Sequence, residues 1–396
     1  MPKPRDLAVI LFVFAMTVPW IYLKNAGIHP TAPWNALLPG IAIFGAAFIL
    51  SWGAELAQFE IPRSLAIAFL ALIAVLPEYA VDMYFAWEAG KDPQYVHFAT
   101  ANMTGANRLL IGVGWAAVVF AYFFRTKKGE VRLDSGSRTE ILALLAATIY
   151  CFVIPVKHTL SWVDSAVLML IFAWYIRQTI KSHHEEPEIE GPIVEIAKCP
   201  RSLRIFMTLF FFLFSGYTIF ISAEPFAEGL LETGRHWGIE EFILVQWLAP
   251  LASESPEFIV AIIFALRAQA TTSLGTLLSS KVNQWTLLVG MLPLVYSLSS
   301  GALKPMEMDA RQSEEIFLTA AQSLFAVVII LNLRFSITEA LLLFVLFGTQ
   351  VFFTSTEART IYAFLYLAMA VGWFVLVPDN RKGLARLFKG EAVPEK

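Results

Sequence analysis

Long apolar runs separated by short polar segments make up most of this chain. A helix needs about 20 apolar residues to cross the hydrocarbon layer of a bilayer, and most of these runs reach that length. Backbone groups in lipid must find hydrogen-bond partners within their own segment, so the runs predict helices rather than loops. We predict about twelve transmembrane helices, at residues 6–23, 35–58, 64–87, 97–123, 139–156, 160–181, 204–224, 240–266, 271–298, 316–333, 336–354 and 361–378.

The composition also indicates a membrane protein. Of the 396 residues, 57% are hydrophobic and only 15% are charged, and the mean hydropathy is +0.64. Soluble domains carry about 25% charged residues, so this chain lacks the charge that a soluble surface of its size requires. The pattern therefore predicts an all-α integral membrane protein surrounded by a lipid bilayer.

The polar residues argue against several classes of function. The sequence has no basic block of the kind that nucleic-acid partners need. Cys151 and Cys199 lack the spacing of a metal site or a disulfide framework. No two histidines have the i, i+4 spacing typical of a zinc site. We therefore expect no nucleic-acid partner, no permanently bound cofactor and no enzymatic activity. We also expect a monomer.

Positive charge predicts the orientation in the membrane. If the amino terminus lies in the cytoplasm, most of the 29 Lys and Arg residues fall in cytoplasmic segments, as in membrane proteins generally. Both termini are then cytoplasmic, and the short loops favour a plasma, or inner, membrane. Two cations, Arg108 and Lys281, are assigned to neither side of the membrane, and both fall within predicted helices.

Two Pro-Glu pairs lie inside apolar runs, Pro77-Glu78 and Pro256-Glu257. A charged side chain at the bilayer centre costs about 2.5–3.5 kcal/mol on insertion scales, so acids within membrane helices usually have a function. A proline inside a helix also leaves the carbonyl four residues earlier without its hydrogen bond. Each pair thus offers a carboxylate and a backbone oxygen, which are ligands of hard cations such as Ca²⁺ and Na⁺.

The sequences around the two Pro-Glu pairs agree with each other. Glu55 and Glu224 each end a predicted helix upstream, and residues 101–108 correspond downstream to residues 275–282. Five predicted helices per repeat is an odd number, so the second repeat is inverted, with a shared site expected near the bilayer midplane. The predicted organisation is an extra N-terminal helix (1–30), a first five-helix repeat (35–181), a cytoplasmic linker (182–203), a second five-helix repeat (204–354), an extra C-terminal helix (361–378) and a cytoplasmic tail (379–396).

Further polar residues lie near the two glutamates in the predicted helices. Asp82 follows Glu78 by one turn, and Glu254 precedes Glu257 by almost one turn. We hypothesise that Arg108 pairs with Asp82, and that Lys281 pairs with Glu254 or Glu257. The neighbours of the predicted ion site are Asp82, Glu254, Ser253, Ser280, Asn107, Arg108 and Lys281.

At these residues the chain resembles the calcium/cation antiporter superfamily, of the sodium/calcium exchanger type. The resemblance rests on Leu76-Pro77-Glu78, Asn102, Gly105, Ala106 and Asn107 in the first repeat, and on Ser253, Pro256, Glu257, Gly275 and Ser280 in the second. It implies that Glu78, Asn102, Glu257 and Thr276 bind the transported ion. The chain differs from the family pattern at Lys281. Three consequences are open: the lysine takes the place of one bound Na⁺, it makes the exchanger proton-coupled, or it abolishes transport.

The resemblance implies a secondary active antiporter that works by alternating access. Such a protein would exchange Ca²⁺, or another cation, for Na⁺ or H⁺, and its partners would be inorganic cations and the lipid bilayer. An alternative also fits the residues. In a membrane sensor or scaffold that does not transport, Arg108 and Lys281 would neutralise the acids of the site.

Overall fold

The computed structural model describes residues 4–60, 75–181, 192–353 and 355–389. The first residues of the predicted helix 64–87 lie outside these ranges. The helices are α1 (Pro4–Asn25), α2 (Trp34–Ala57), α3 (Leu76–Lys91), α4 (Tyr95–Leu109), α5 (Ala116–Thr126), α6 (Arg138–Cys151), α7 (Val153–Lys157), α8 (Trp162–Lys181), α9 (Val194–Ala197), α10 (Arg201–Trp237), α11 (Glu241–Leu266), α12 (Ala270–Asn283), α13 (Val289–Ser300), α14 (Ala310–Ile330), α15 (Ile337–Phe352), α16 (Thr356–Leu376) and α17 (Pro378–Lys389).

Two π-helical segments and a short 3₁₀ turn complete the helical structure, and four short strands form two antiparallel pairs. The π segments are Leu110–Trp115, between α4 and α5, and Gln284–Leu288, between α12 and α13, and the 3₁₀ turn is Ser135–Ser137. The strands are β1 (Glu130–Arg132), β2 (Thr159–Leu160), β3 (Met306–Glu307) and β4 (Arg334–Ser336), and β1 pairs with β4 and β2 with β3.

The helices have the length and surface of a membrane protein. Within the described ranges, nine helices are long and apolar enough to cross a bilayer, where a helix and its direct continuation count as one. Large apolar side chains are exposed along them, such as Phe220 of α10 at 82%. A surface of this kind fits a lipid environment better than water. The all-α membrane class predicted from the apolar runs is confirmed, while the total number of spans stays a prediction.

The chain forms two compact units. One unit contains Met1–Phe85 and Ile176–Pro256, and the other contains Ala86–Tyr175 and Glu257–Lys396. Each unit therefore takes segments from both halves of the chain.

In the first unit, α2 packs along α10 and against α1. The contact between α2 and α10 is close because small residues lie between the two helices. A Cβ atom added to Gly229 would lie 2.5 Å from the carbonyl oxygen of Asn35. Another added to Gly40 would lie 2.9 Å from the ring of Phe226. The two backbones thus approach each other at glycine positions.

Helix α10 continues well past the predicted end at residue 224, so the prediction that Glu224 ends this helix is wrong. Pro225 lies inside the helix, which ends at Trp237. Beyond the proline, Phe226 and Leu230 are buried, and this apolar packing offsets the helical hydrogen bond that a proline removes. Gly238 ends the helix with a positive φ of 65°, which glycine adopts without strain.

An ion-pair cluster joins the end of α2 to the start of α10. The carboxylate of Glu60 accepts hydrogen bonds from Nε of Arg204 at 2.7 Å and from Nε of Arg201 at 3.0 Å. The hydrogen bond from Arg204, followed by that from Arg201, lowers the pKa of Glu60. The cluster fixes the two helix ends relative to each other.

In the second unit, the two π segments pack reciprocally. Helix α12 contacts the segment Leu110–Trp115, and α4 contacts the segment Gln284–Leu288. Leu110 lies three residues after Asn107, and Gln284 lies three residues after Lys281. Because Asn107 and Lys281 hold corresponding positions in the sequence repeat, the same irregularity recurs at the same place in both halves.

Helix α14 is the most deeply buried of the candidate spans in the second unit. It begins at Ala310, earlier than the predicted start at residue 316. Asp309 and Gln312 form a reciprocal capping box that satisfies the backbone at the helix start. The prediction was wrong here because it followed hydropathy alone and did not use the Asp-x-x-Gln spacing.

The predicted tail 379–396 contains a helix, α17, which packs against α14 within the second unit. Nδ2 of Asn380 donates to the carbonyl of Val328 at 3.0 Å. A Cβ atom added to Gly383 would lie 2.2 Å from the carbonyl oxygen of Leu331, so the two backbones are in direct contact. The last residues of the tail, 390–396, lie outside the described ranges.

Candidate functional site

The first Pro-Glu pair, Pro77-Glu78, lies in the first unit, among the first described residues of α3. Glu78 is 2% exposed, and Asp82, one turn further along the same helix, is fully buried. Both side chains take part in polar interactions within the structure. The acids that the sequence places on one helix face are therefore both removed from solvent.

Helix α11 contributes two predicted neighbours of the site to the same unit. Oγ of Ser253 donates to the carbonyl of Ala249 at 3.1 Å and to that of Pro250 at 3.3 Å. Glu254 is buried and takes part in polar interactions. The serine hydroxyl thus partly satisfies backbone oxygens beside a proline, while its own lone pairs stay available to a ligand.

The division between the two units falls inside α11, and Glu257 is the first residue of this helix that belongs to the second unit. The hydroxyl of Ser280, from α12, lies beside its carboxylate. Within the described part of the chain, neither Oγ of Ser280 nor Oε2 of Glu257 makes a hydrogen bond of good geometry, and both atoms are buried. These two residues, predicted from separate motifs, are brought together by the fold.

Asn102 is fully buried in α4 of the same unit. Both polar atoms of its amide, Oδ1 and Nδ2, have no hydrogen-bond partner among the described residues. A buried polar group without a partner costs about 1–3 kcal/mol, and such groups are rare unless a ligand, water or ion satisfies them. Asn102 therefore has the properties of a ligand-binding residue.

Thr276, the position in the second repeat that corresponds to Asn102, has a different environment. Its side chain is exposed, and its hydroxyl donates to the carbonyl of Thr272 in the same helix at 3.0 Å. The role of Thr276 as an ion ligand stays a prediction.

Lys281 is fully buried and bound to Asn107. Its Nζ donates to Oδ1 of Asn107 at 2.6 Å and to the backbone carbonyl of Asn107 at 3.1 Å. The ammonium also lies 4.6 Å from the centre of the Trp285 ring, a distance at which a cation–π interaction is favourable. The two corresponding positions of the repeat thus contact each other.

These contacts correct one part of the predicted ion pairing. Within the described residues, Glu257 forms no ion pair with Lys281, so that alternative is wrong. The pairing of Lys281 with Glu254 stays a prediction. The sequence did not indicate Asn107 as a partner, because its side chain carries no charge.

Arg108 belongs to a buried cluster of three charged side chains that the sequence did not predict. Nη2 of Arg108 contacts Oε2 of Glu315 at 2.5 Å, and the other oxygen of Glu315 pairs with Arg359. All three side chains are almost fully buried, on α4, α14 and α16. Nε2 of Gln322 also donates to the carbonyl of Arg108 at 3.2 Å. Arg108 is thus held by two residues of α14, and its pairing with Asp82 stays a prediction.

Glu315 and Arg359 were missed because the predicted helices began after them. Hydropathy placed both residues in loops, whereas α14 begins at Ala310 and α16 at Thr356. The capping box at Asp309 was the available signal for α14. The serine cap at Ser355, which accepts from the backbone of Ala358, was the signal for α16.

The whole chain is similar to proteins of known family and structure. The sequence profile of the family described as sodium/calcium exchanger protein matches residues 33–180 and 207–356. A solved structure described as the H⁺/Ca²⁺ exchanger CAX is 46% identical, covers 98% of this chain and 97% of its own, and has a TM-score of 0.94. A search of curated proteins found no match.

Two further solved structures share the fold at low identity. Native YfkE is 14% identical, with a TM-score of 0.63, and the match covers 92% of this chain and 99% of that chain. The sodium-calcium exchanger NCX_Mj is 18% identical, with a TM-score of 0.53, over 79% of this chain and 95% of that chain. At these identities the comparison supports the all-α membrane fold alone.

Proposed function

Because this chain belongs to the sodium/calcium exchanger protein family, we propose that it is an antiporter that exchanges Ca²⁺ for H⁺. The resemblance predicted from the two Pro-Glu motifs is confirmed at the level of the superfamily. The choice of ions rests on the solved H⁺/Ca²⁺ exchanger, which is 46% identical over nearly the whole chain. Transport would follow the alternating-access scheme of inverted repeats.

The cation would bind to Glu78 and Glu257, with Asn102 as a neutral ligand. The observation that carries this proposal is the fully buried amide of Asn102, which has no hydrogen-bond partner in the described residues. Oε2 of Glu257 and Oγ of Ser280 are buried oxygens of the same kind. Ca²⁺ takes about six to eight oxygen ligands, so groups of this chemistry fit it well.

Protons would compete with Ca²⁺ for the same carboxylates. A carboxyl group binds either a proton or a metal ion strongly, since the metal requires the ionised form. Glu78 and Glu257 would therefore carry Ca²⁺ in one direction and protons in the other. This competition prevents both ions from occupying the site together, and it couples their movements.

The position of Lys281 favours H⁺ rather than Na⁺ as the ion that is exchanged for Ca²⁺. Its ammonium already occupies two oxygens of Asn107. Those oxygens are of the type that would bind Na⁺, and a fixed positive charge beside them would repel a second monovalent cation. Under this proposal the lysine stands permanently where a transported Na⁺ would otherwise bind.

The proposal predicts that Glu257→Gln and Glu78→Gln strongly reduce exchange. Each change keeps the shape of the side chain and removes its negative charge. Interactions with a charged group contribute about 1.5–3 kcal/mol, so we expect Ca²⁺ uptake to fall about tenfold or more. The measurement is uptake of radioactive Ca²⁺ into proteoliposomes that are loaded with acid buffer and diluted into neutral medium.

Glu307→Gln is the matched control, because Glu307 is an exposed acid on β3 and undergoes the same chemical change. Its uptake should equal that of the wild type. Undiminished uptake in Glu257→Gln would reject the assignment of this residue. Absence of uptake in the wild type itself would favour the second candidate, a sensor that does not transport, in which the buried cations Arg108 and Lys281 neutralise the site.

A further inference from the structure

Helix α17 is docked through one of its faces. Asn380, Gly383 and Leu387 are buried on this face. The guanidinium of Arg138 donates to the carbonyls of Leu387 and Phe388, and so binds backbone oxygens at the carboxyl end of the helix. Free carbonyls at a helix end favour a cation in this way. The docked face therefore fixes which side chains point away from the protein.

The outward face of α17 combines cations with an aromatic ring. Arg381, Lys382 and Lys389 are exposed on it, together with Ala385. Phe388 is 65% exposed. A phenylalanine surrounded by Lys and Arg on an exposed helix face is the pattern of helices that lie in the boundary between lipid and water.

The position of α17 in the chain also places it at this boundary. Helix α16 is a candidate membrane span that ends at Leu376, and α17 begins at Pro378. Leu376 is 79% exposed at the junction. An apolar side chain exposed at the end of a spanning helix marks the lipid side of the junction. The chain therefore leaves the hydrocarbon layer directly before α17.

We propose that the outward face of α17 binds anionic phospholipid headgroups. Phe388 would enter the acyl boundary, and Arg381, Lys382 and Lys389 would contact lipid phosphates. The helix carries four Lys and Arg residues against one acid, Asp379, so its charge is complementary to an anionic membrane surface. Each such cation near an anionic surface contributes about 1 kcal/mol, which corresponds to about fivefold in the preference for anionic over neutral lipid.

The test is fluorescence quenching by brominated lipids in the full-length protein. Ala385→Cys, made together with Cys199→Ser, carries an environment-sensitive probe on the exposed face, while Cys151 is buried and left in place. The protein is reconstituted in mixtures of phosphatidylglycerol and phosphatidylcholine in which only one of the two is brominated. We expect quenching to be at least about fivefold more effective per molecule for the anionic lipid, and to weaken in high salt.

The triple variant Arg381→Gln, Lys382→Gln, Lys389→Gln should lose this preference. Its charge-matched control is Lys24→Gln, Lys91→Gln, Lys304→Gln, which changes three exposed lysines elsewhere and should keep it. Equal quenching by the two lipids in the parent protein would overturn the proposal. Absence of quenching by either lipid would also overturn it, and would point to a protein partner on this face. The readout does not depend on Ca²⁺ transport, so it is independent of the proposed antiport.

Discussion

At the scale of single residues, Lys281 shows how a buried cation is accommodated. An ammonium without partners in a dry interior is strongly destabilising. Here two oxygens of Asn107 and the face of Trp285 replace its water. The sequence located Lys281 inside a helix and marked it as unusual. It did not identify the partner, because a neutral asparagine leaves no charge pattern that a sequence comparison can detect.

Replacing Lys281 tests its proposed role as a fixed substitute for a monovalent cation. In Lys281→Asn, the oxygens of Asn107 become available and the positive charge is gone. We expect an outward Na⁺ gradient to drive Ca²⁺ uptake in this variant but not in the wild type. The assay is uptake into Na⁺-loaded proteoliposomes at equal pH on both sides.

Lys304→Asn is the control, because Lys304 is an exposed lysine in a connecting segment and should leave ion preference unchanged. If Lys281→Asn transports Ca²⁺ with no response to Na⁺, the proposal that Lys281 takes the place of a bound Na⁺ is wrong. A variant that aggregates is recognised by size-exclusion chromatography, and Lys281→Gln, which keeps a hydrogen-bond donor, then replaces it in the same assay.

At the scale of elements, the two motif helices are joined by their π segments. π-helical turns are rare and are frequently found at functional sites. Both segments here follow a motif, and each packs against the motif helix of the other repeat. The repeat of the motifs was visible in the sequence. The π turns were not, because they depend on the hydrogen-bond register of the backbone rather than on hydropathy.

The packing of α2 against α10 gives a stability prediction at this scale. In Gly229→Ala, the new Cβ would lie 2.5 Å from the carbonyl oxygen of Asn35, a backbone atom that cannot move by a side-chain rotation. The helices must separate, and overpacking of this kind costs about 1–3 kcal/mol. We expect a lower melting temperature, measured by fluorescence-detected size-exclusion chromatography after heating in detergent.

Gly216→Ala provides the matched control on the same helix, since nothing lies within 4 Å of a Cβ at this position. Alanine is a better helix former than glycine by about 0.5–1 kcal/mol, so its melting temperature should stay the same or rise slightly. Equal destabilisation by the two substitutions would mean that the close contact at Gly229 does not limit stability.

At the scale of the whole molecule, the compact units do not coincide with the sequence repeats. The unit formed by Met1–Phe85 and Ile176–Pro256 takes part of each repeat, and so does the other unit. One division between units falls within the second Pro-Glu pair, after Pro256. A repeat recognised by sequence similarity reports a shared origin, whereas a compact unit reports which surfaces pack together, so the two need not agree.

The proposed orientation, with both termini cytoplasmic in a plasma membrane, is tested by labelling. Lys128 precedes β1 and Lys304 precedes β3, and both are exposed in the second unit. The distribution of Lys and Arg places Lys128 inside and Lys304 outside. In a variant with Cys151 and Cys199 replaced by serine, an impermeant maleimide added to intact cells should label Lys304→Cys but not Lys128→Cys.

Permeabilised cells serve as the control, because both cysteines should then react. Labelling of Lys128→Cys alone in intact cells would invert the proposed orientation. Labelling of both in intact cells would mean that the two segments lie on the same side, and would contradict the predicted number of spans between them.

The sequence alone determined the membrane class, the family resemblance and the acids of the candidate site. These depend on local properties: the length of apolar runs, the spacing of Pro-Glu pairs and the order of small and polar residues. Two helix boundaries mark the limit of that reasoning. Tertiary packing lets α10 continue past Pro225, and a capping box at Asp309 determines where α14 begins.

Only the tertiary structure decided which polar groups meet. Lys281 and Asn107 are 174 residues apart, and Arg108 and Glu315 are 207 residues apart. Helical periodicity assigns each side chain to a face of its own helix, but it does not say which other helix covers that face. The partners of the buried cations, and the unsatisfied amide of Asn102, therefore appear only once the helices are packed.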